Sequence, residues 1–181
     1  MPHLPPGPSC PAKTRAYTLI ELLIVIMVLG IASAVLIPSL GSTGVLRVQA
    51  AVRQIVADIT VAQSEALAYQ RGRAIIFDVE TNSYKVVEVR SGEIDPDANL
   101  LSTVELSAAS VYGDAKIVSA SFDGDTTLIF DEIGAPTLSP GQSQPTATGV
   151  LTVEGSGNRF RIEIDGYTGR VIVRDMGPIT P

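Results

Sequence analysis

The side chains that most often carry out catalysis or bind metals are scarce in this chain. Its 181 residues include one histidine, His3, and one cysteine, Cys10, and both lie within the first 16 positions. Nucleophilic Ser–His and Cys–His sites, thiolate or imidazole zinc sites and disulfides all need more of these residues than the remaining sequence offers. We therefore predict no catalytic residues, no cofactor and no metal, and thus no enzyme.

One short acidic stretch, residues 123–125, could still bind a cation. Asp123-Gly124-Asp125 has two carboxylates that calcium could use. The stretch lacks the further acidic ligands of an EF-hand loop, so a polar turn is the preferred interpretation.

A second candidate is a group of four arginines near the C-terminus. Arg159 and Arg161, and likewise Arg170 and Arg174, are separated by even numbers of residues, so each pair faces one side of its strand. They predict a small basic patch for DNA or a partner protein. The alternative is a solvated face whose arginines pair with nearby acids, which are Glu163, Asp165 and Asp175.

The elements that position these residues begin with a long apolar run. Residues 22–46 contain no charge, and Lys13 and Arg15 are the only charges ahead of Glu21. As a helix rising about 1.5 Å per residue, the run would extend roughly 37 Å, enough to cross a hydrocarbon core of about 30 Å. The basic leader indicates a cytoplasmic N-terminus. We predict a single-pass transmembrane anchor, with the rest of the chain outside the cytoplasm.

Glu21 makes this run informative. A carboxylate within an apolar helix costs about 2.5–3.5 kcal/mol at mid-bilayer, so it usually marks a function or a partner. The alternative is an interfacial acid, because Glu21 lies near the start of the run and could reach the headgroups.

Residues 16–25 read AYTLIELLIV. They resemble the type III signal of type IV pilins and type II secretion pseudopilins, and the resemblance extends to Pro38, where such helices often carry a proline. It implies that a prepilin peptidase cuts between Ala16 and Tyr17, and that Tyr17 is then N-methylated. It also implies that Glu21 neutralises the amino terminus of a neighbouring subunit in a filament. Ala16 replaces the usual Gly and Tyr17 the common Phe.

A competing processing signal lies a little further along. Ala32-Ser33-Ala34 has the small-x-small form that signal peptidase recognises, and cleavage after Ala34 would release a soluble exported domain. Glu21 and the helical pattern that continues beyond Pro38 argue against it.

The helical pattern predicts one long helix over residues 17–70. Apolar residues continue at spacings of three and four, at Val45, Val48, Val52, Ile55, Ile59, Ala62, Ala66 and Tyr69. We assign residues 1–16 to a removed leader, 17–46 to the membrane and filament core, and 47–72 to an amphipathic half that packs on the protein's own sheet. Pro38 is expected to kink the helix, residues 41–44 to weaken it, and Gly72 to end it.

Beyond Arg73 the apolar period changes to two, which is typical of strands. The predicted strands are residues 74–79, 84–90, 100–106, 115–122, 127–131, 150–154, 159–165 and 170–174. Hairpin loops are predicted at 81–83, 155–158 and 166–169, and longer loops at 91–99 and 135–148. We predict an α+β fold with an antiparallel β head over residues 73–181.

The C-terminal third carries a second resemblance. LIFDEIGAP at residues 128–136, GVLTV at 149–153, NRFRIEI at 158–164 and TGRV at 168–171 resemble the globular domain of the GspH/FimT group of minor pseudopilins and minor pilins. The group's DNA-binding members have a basic, cysteine-containing tail, which this chain lacks.

Together these features favour a minor pseudopilin of a type II protein secretion system. Its expected partners are other pseudopilins, a prepilin peptidase and the inner membrane, with assembly into a periplasmic filament. One alternative is a minor type IV pilin, FimT- or FimU-like, for pilus priming or DNA uptake. Another is an exported soluble β domain that binds a ligand. Nucleic acid is disfavoured, because without residues 1–16 the chain has 11 bases against 19 acids.

Overall fold

The structure is a computed structural model that describes residues 18–36, 43–142 and 145–179. It forms two compact units, Met1–Gly41 and Ser42–Pro181, here named the N-terminal unit and the head. The N-terminal unit contains helix α1, Leu19–Leu36, and the head begins with helix α2, Thr43–Tyr69. The predicted passage of one helix through Pro38 lies outside the described residues.

A membrane span is predicted over residues 17–46. In the three described segments, however, no helix has both the length and the apolar character that crossing a membrane requires.

Helix α2 buries one side because its apolar residues recur every three or four positions. Most of the predicted stripe is buried, namely Val48, Val52, Ile55, Ile59, Ala62 and Ala66. The prediction is wrong at Tyr69, which is 65% exposed. The helix ends at this residue, and its ring lies 5.7 Å from the guanidinium of Arg73.

The end of α2 also differs from the prediction. Gln70 has a positive φ of 52°, and the Arg71 N–H donates to the Ala66 carbonyl at 3.2 Å. This is the Schellman arrangement, in which a left-handed residue directly after the helix closes its last turn. Glutamine takes the place that glycine usually occupies, so Gly72 lies beyond the helix and does not end it.

Ten strands follow in the described part of the head, with a one-turn helix α3, Ala109–Tyr112, before the fifth. The strands are β1 Arg73–Asp78, β2 Ser83–Arg90, β3 Glu93–Ile94, β4 Leu100–Glu105, β5 Lys116–Ser121, β6 Thr127–Phe130, β7 Pro136–Thr137, β8 Gly149–Gly155, β9 Asn158–Ile164 and β10 Val171–Pro178. Sheet one has the order β3-β2-β1-β6-β7, with β4 also paired to β2, and sheet two has the order β10-β9-β8-β5. Paired strands are antiparallel, which confirms the α+β fold.

Each of the eight predicted strands corresponds to an observed one. The largest difference is in β10, which continues to Pro178 through an irregularity after Asp175. The sequence did not predict β3, β7 or α3, because two to four residues are too few to show a period. Both short strands lie within the predicted loops 91–99 and 135–148.

The core lies where α2 meets both sheets. The helix contacts β1 and β6 of sheet one and β8 and β9 of sheet two. Ile59 of α2, Phe130 of β6 and Ile162 of β9 are completely buried, and burial of each such side chain contributes about 1.5–3 kcal/mol. The buried apolar cluster of the described residues falls entirely between Val48 and Ile164, so the head contains its own core.

One polar contact connects α2 to sheet one inside this core. The Tyr84 hydroxyl donates to Oδ2 of Asp58, whose carboxylate also accepts from Gln54 Nε2 at 3.1 Å. Tyr84 is only 1% exposed. Burial raises the pKa of Tyr84 well above its usual value of 10.0, and the hydrogen bond to Asp58 raises it further.

We expect Tyr84→Phe to lower the free energy of unfolding by about 1–3 kcal/mol, because Asp58 loses a buried donor. Urea unfolding measures this loss. The wild-type protein should also lose stability above about pH 10, because Tyr84 ionises there in the unfolded state only. The variant should lack this part of the alkaline decline.

Tyr167→Phe is the matched control, because Tyr167 is 75% exposed. Its stability should stay within about 0.5 kcal/mol of the wild type. Equal losses in the two variants would contradict a specific role for the Tyr84–Asp58 bond.

Candidate assembly site

Helix α1 begins with a side-chain cap. The Glu21 N–H donates to the Thr18 carbonyl at 3.0 Å and lies 3.3 Å from Thr18 Oγ1. Thr18 thus occupies the N-cap position and Glu21 the third helical position, which is the spacing of a capping box. An acid in the first turn also complements the positive end of the helix dipole. Thr18 therefore caps the helix, and the Thr-x-x-Glu spacing and the position of Glu21 in the first turn indicate a local role for its carboxylate that the sequence analysis missed.

From residue 22 to residue 32, α1 presents apolar surface. Its large apolar side chains from Leu19 to Ile31 are between 47% and 83% exposed, and they surround the helix on every side. The Ser33 hydroxyl donates to the Leu29 carbonyl at 2.7 Å, which satisfies that polar group within the helix. A helix that is apolar all round is stable only when apolar surroundings cover it.

The predicted processing residues cannot be compared with the structure. Ala16 and Tyr17, between which cleavage is expected, and Pro38 all lie outside the described residues. Glu21 is described and exposed. The cleavage, the N-methylation of Tyr17 and the pairing of Glu21 with a neighbouring amino terminus remain predictions.

Three of the four arginines of the predicted basic patch lie on sheet two, in ion pairs. Arg159 pairs with Glu154, and both Arg161 and Arg174 pair with Glu163, at 3.3 and 3.0 Å. Arg170 lies apart, in the exposed turn that joins β9 to β10. Three of the four arginines therefore share one face, and their pairing matches the alternative of a solvated strand face.

Residues 123–125 form the polar turn that was preferred over a calcium site. Asp123 and Gly124 both have positive φ, and Phe122 and Asp125 exchange two backbone hydrogen bonds across them. This is a tight turn of the type I′ kind. Within the described segments, no group of three or more His, Cys, Asp or Glu residues is placed to hold a metal.

The start of the chain matches a known family. Residues 11–37 match the family described as "Prokaryotic N-terminal methylation motif". The start of this chain is type IV pilin-like. The match includes the AYTLIELLIV stretch with Glu21, and it extends over α1.

The other comparisons give a solved structure but no curated protein. A solved structure, that of the minor pseudopilin EpsH from the Type 2 Secretion System of Vibrio cholerae, is similar at 10% identity, over 71% of this chain and 97% of that one. The TM-score is 0.49, and a likeness of that size carries no weight for fold or function. No curated protein matches the chain.

Sequence reasoning missed a residue that connects the C-terminal motifs of the head. Gln63 of α2 donates through Nε2 to the Gly134 carbonyl at 2.8 Å and to the Thr168 carbonyl at 2.9 Å. The first carbonyl belongs to the turn after β6 and the second to the turn after β9. One helix side chain thus holds a turn from each sheet.

Two glycines leave room for this contact. Gly134 and Gly169 have φ of 76° and 68°, a region that favours glycine. A Cβ at Gly169 would collide with Gln63 Nε2, and one at Gly134 would lie 3.1 Å from the Gln63 carbonyl oxygen. The FDEIGAP and TGR stretches, which are about 35 residues apart in sequence, therefore meet around one glutamine.

We expect Gln63→Ala to lower the free energy of unfolding by about 1–3 kcal/mol, because two carbonyls lose a shared donor. Ser64→Ala is the control, since that exposed hydroxyl bonds the Thr60 carbonyl of its own helix at 2.8 Å and no other described residue. Thermal unfolding compares the two variants. Hydrogen exchange should also speed up selectively in the two turns of Gln63→Ala, and unchanged exchange in both turns would argue against the contact.

Proposed function

We propose that this protein is a minor pseudopilin of a type II protein secretion system, of the GspH/FimT group. The observation that carries the proposal is the methylation motif at residues 11–37, which includes a helix that is apolar on every side. Such a helix needs apolar surroundings, which the inner membrane offers to the precursor and other helices offer to an assembled subunit. The β-rich head then stays in water and presents its surface to other subunits or cargo.

The methylation motif implies that assembly proceeds in three steps: cleavage and methylation in the membrane, transfer of the helix into the filament, and pairing of Glu21. The precursor is held in the inner membrane, and a prepilin peptidase cuts it between Ala16 and Tyr17, where the new amino terminus is methylated. The helix then leaves lipid for the filament core. There Glu21 pairs with the amino terminus of a neighbouring subunit, because a buried carboxylate without a cation would be strongly unfavourable.

A minor type IV pilin uses the same steps, so the choice between the systems depends on the head. DNA uptake is disfavoured, because three of the four patch arginines are already in ion pairs with acids, and phosphate binding needs cations free to replace counterions.

Deletion of the gene should abolish export of secreted proteins while surface pili remain. Loss of pili with normal export would reassign the protein to a pilus system.

A further prediction concerns the mature N-terminus. In cells that express a prepilin peptidase, the membrane-bound protein should begin at N-methylated Tyr17, as measured by intact mass and N-terminal sequencing. A start at Val35 in the soluble fraction would instead show signal-peptidase cleavage after Ala34. That result would overturn the pseudopilin proposal and favour an exported β domain.

Two substitutions separate the two expected roles of Glu21. Glu21→Gln keeps a residue that a capping box accepts but removes the charge, whereas Thr18→Ala removes the cap and keeps the charge. If the charge is what assembly requires, Glu21→Gln should be cleaved normally and be lost from sheared filaments. Thr18→Ala should still enter them. The reverse pattern would assign Glu21 to helix capping alone.

A further inference from the structure

The inner face of sheet two extends beyond the helix that covers it. Helix α2 packs on β8 and β9, whereas β10 lies one strand further out, at the edge of the sheet. Val173 of β10 lies opposite Ile162 of β9, so the two side chains share the inner face. Ile162 is completely buried, but Val173 is 44% exposed. The apolar surface of the sheet therefore continues past α2 without a cover from the described residues.

A groove of about 520 Å³ lies between α2 and β10. Its apolar lining comes from α2, β9 and β10, namely from Val52, Val56, Ala57, Phe160 and Val173. Val52 and Phe160 are each 4% exposed, so they lie at its base. Exposed apolar surface of this kind marks a site of interaction, and its concave shape suits aliphatic side chains from another molecule.

Strand β10 offers backbone hydrogen bonds beside the same groove. The Asp165 N–H donates to the Arg170 carbonyl at 3.0 Å, and in an antiparallel pair the bonded and non-bonded positions alternate from there. Every second residue of β10 therefore bonds to β9, beginning with Ile172. The residues in between turn their N–H and C=O groups to the open edge, and these are Val171, Val173 and Asp175. No described strand pairs with this edge.

One charged side chain at the groove is available to an anion. Arg53 of α2 is exposed and lines the groove. Within residues 18–36, 43–142 and 145–179, its side chain forms no ion pair and donates no hydrogen bond. Arg53 differs in this from the three arginines of sheet two, which are already paired with Glu154 and Glu163. A carboxylate placed beside Arg53 would gain a charge-assisted contact.

We propose that an extended segment of a different protein pairs with β10 as a fifth strand of sheet two, with alternate apolar side chains in the groove and a carboxylate beside Arg53. A strand satisfies the open N–H and C=O groups, whereas a helix cannot, because its own backbone groups are already bonded. This inference deepens the proposed function and rests on it for the kind of partner. A minor subunit is present in few copies, so its neighbours are mostly unlike proteins.

The test uses the head, residues 43–181, which contains its own core. The probe is a synthetic peptide with blocked ends, Thr-Val-Thr-Val-Thr-Glu-Thr, whose valines and glutamate share one face of a strand. It should bind the head with a Kd of about 1 mM or lower. A control peptide with the same residues in the order Thr-Thr-Val-Val-Glu-Thr-Thr breaks the alternation and should bind about tenfold more weakly.

Hydrogen exchange measured by NMR shows whether a strand has formed. Bound peptide should slow exchange at Val171 and Val173 by about fivefold or more, because their N–H groups face the open edge. The N–H groups of Ile172 and Arg174 already bond to β9, so their exchange should change far less. Binding without this alternation would place the peptide in the groove alone and would overturn the strand pairing.

Two variants test the two parts of the contact. Val173→Pro removes an N–H that faces away from β9, so it leaves the bonds within the sheet intact and should abolish binding. Arg53→Glu should weaken binding about tenfold, and a peptide with lysine in place of glutamate should restore it. Arg170→Glu is the control, because it makes the same charge change in the exposed turn before β10 and should bind the first peptide like the wild type.

Failure of the first peptide to bind, equal binding of the two peptides, or equal losses in Arg53→Glu and Arg170→Glu would overturn the proposal. So would slow exchange at Val171 and Val173 in the concentrated head without peptide, since it would assign the edge to a second copy. None of these outcomes concerns cleavage before Tyr17 or export, so they leave the proposed function standing. A mature start at Val35 would instead overturn that function and leave the measured strand pairing unaffected.

Discussion

The head depends on one constraint, which is that a single helix must fill the core against two sheets. The stripe on α2 contacts β1 and β6 on one sheet and β8 and β9 on the other. Large apolar residues from both sheets, such as Phe130 and Ile162, meet it with no exposed surface. Because interiors are closely packed, a change at one α2 position alters contacts with both sheets. The inner residues of α2 must therefore fit both sheets, whereas this packing does not constrain its outer residues.

Polar contacts set the position of the helix within that core. Tyr84 fixes α2 to sheet one through Asp58, and Gln63 holds a turn from each sheet. Asn82 joins the sheets without the helix, since its side chain donates to the Ala115 carbonyl and accepts from the Ile117 N–H. All of these contacts except the exposed Gln63–Thr168 bond are half-buried, so an alternative register would leave several polar groups unsatisfied.

Much of the head was predictable because its periods are strong. Six buried positions of α2 and eight strands follow from spacing alone, and the tight turns follow from Gly, Asn and Asp. The helix end was not predictable, because Gln70 takes a left-handed conformation that sequence rules assign to glycine. The role of Gln63 was also hidden, because it depends on two turns brought together only by folding. Even spacing correctly placed Arg159 and Arg161 on one face, but it was wrong for Arg170, which lies in the turn before β10. Lys116 joins that face through its pairing opposite Glu154, which the sequence does not show.

The cap of α1 has a further consequence for a chain that is cut before Tyr17. The cut would place a new ammonium group two residues ahead of Leu19, at the end of the helix where the dipole is already positive. Like charges repel, so the helix start would become less favourable at the moment of maturation. Glu21 lies in the first turn and offers the opposite charge. The Glu21 carboxylate would then face two positive groups, the N-terminal end of its own helix and an amino terminus. Removal of the leader would therefore add a positive charge that a carboxylate of a neighbouring subunit could offset.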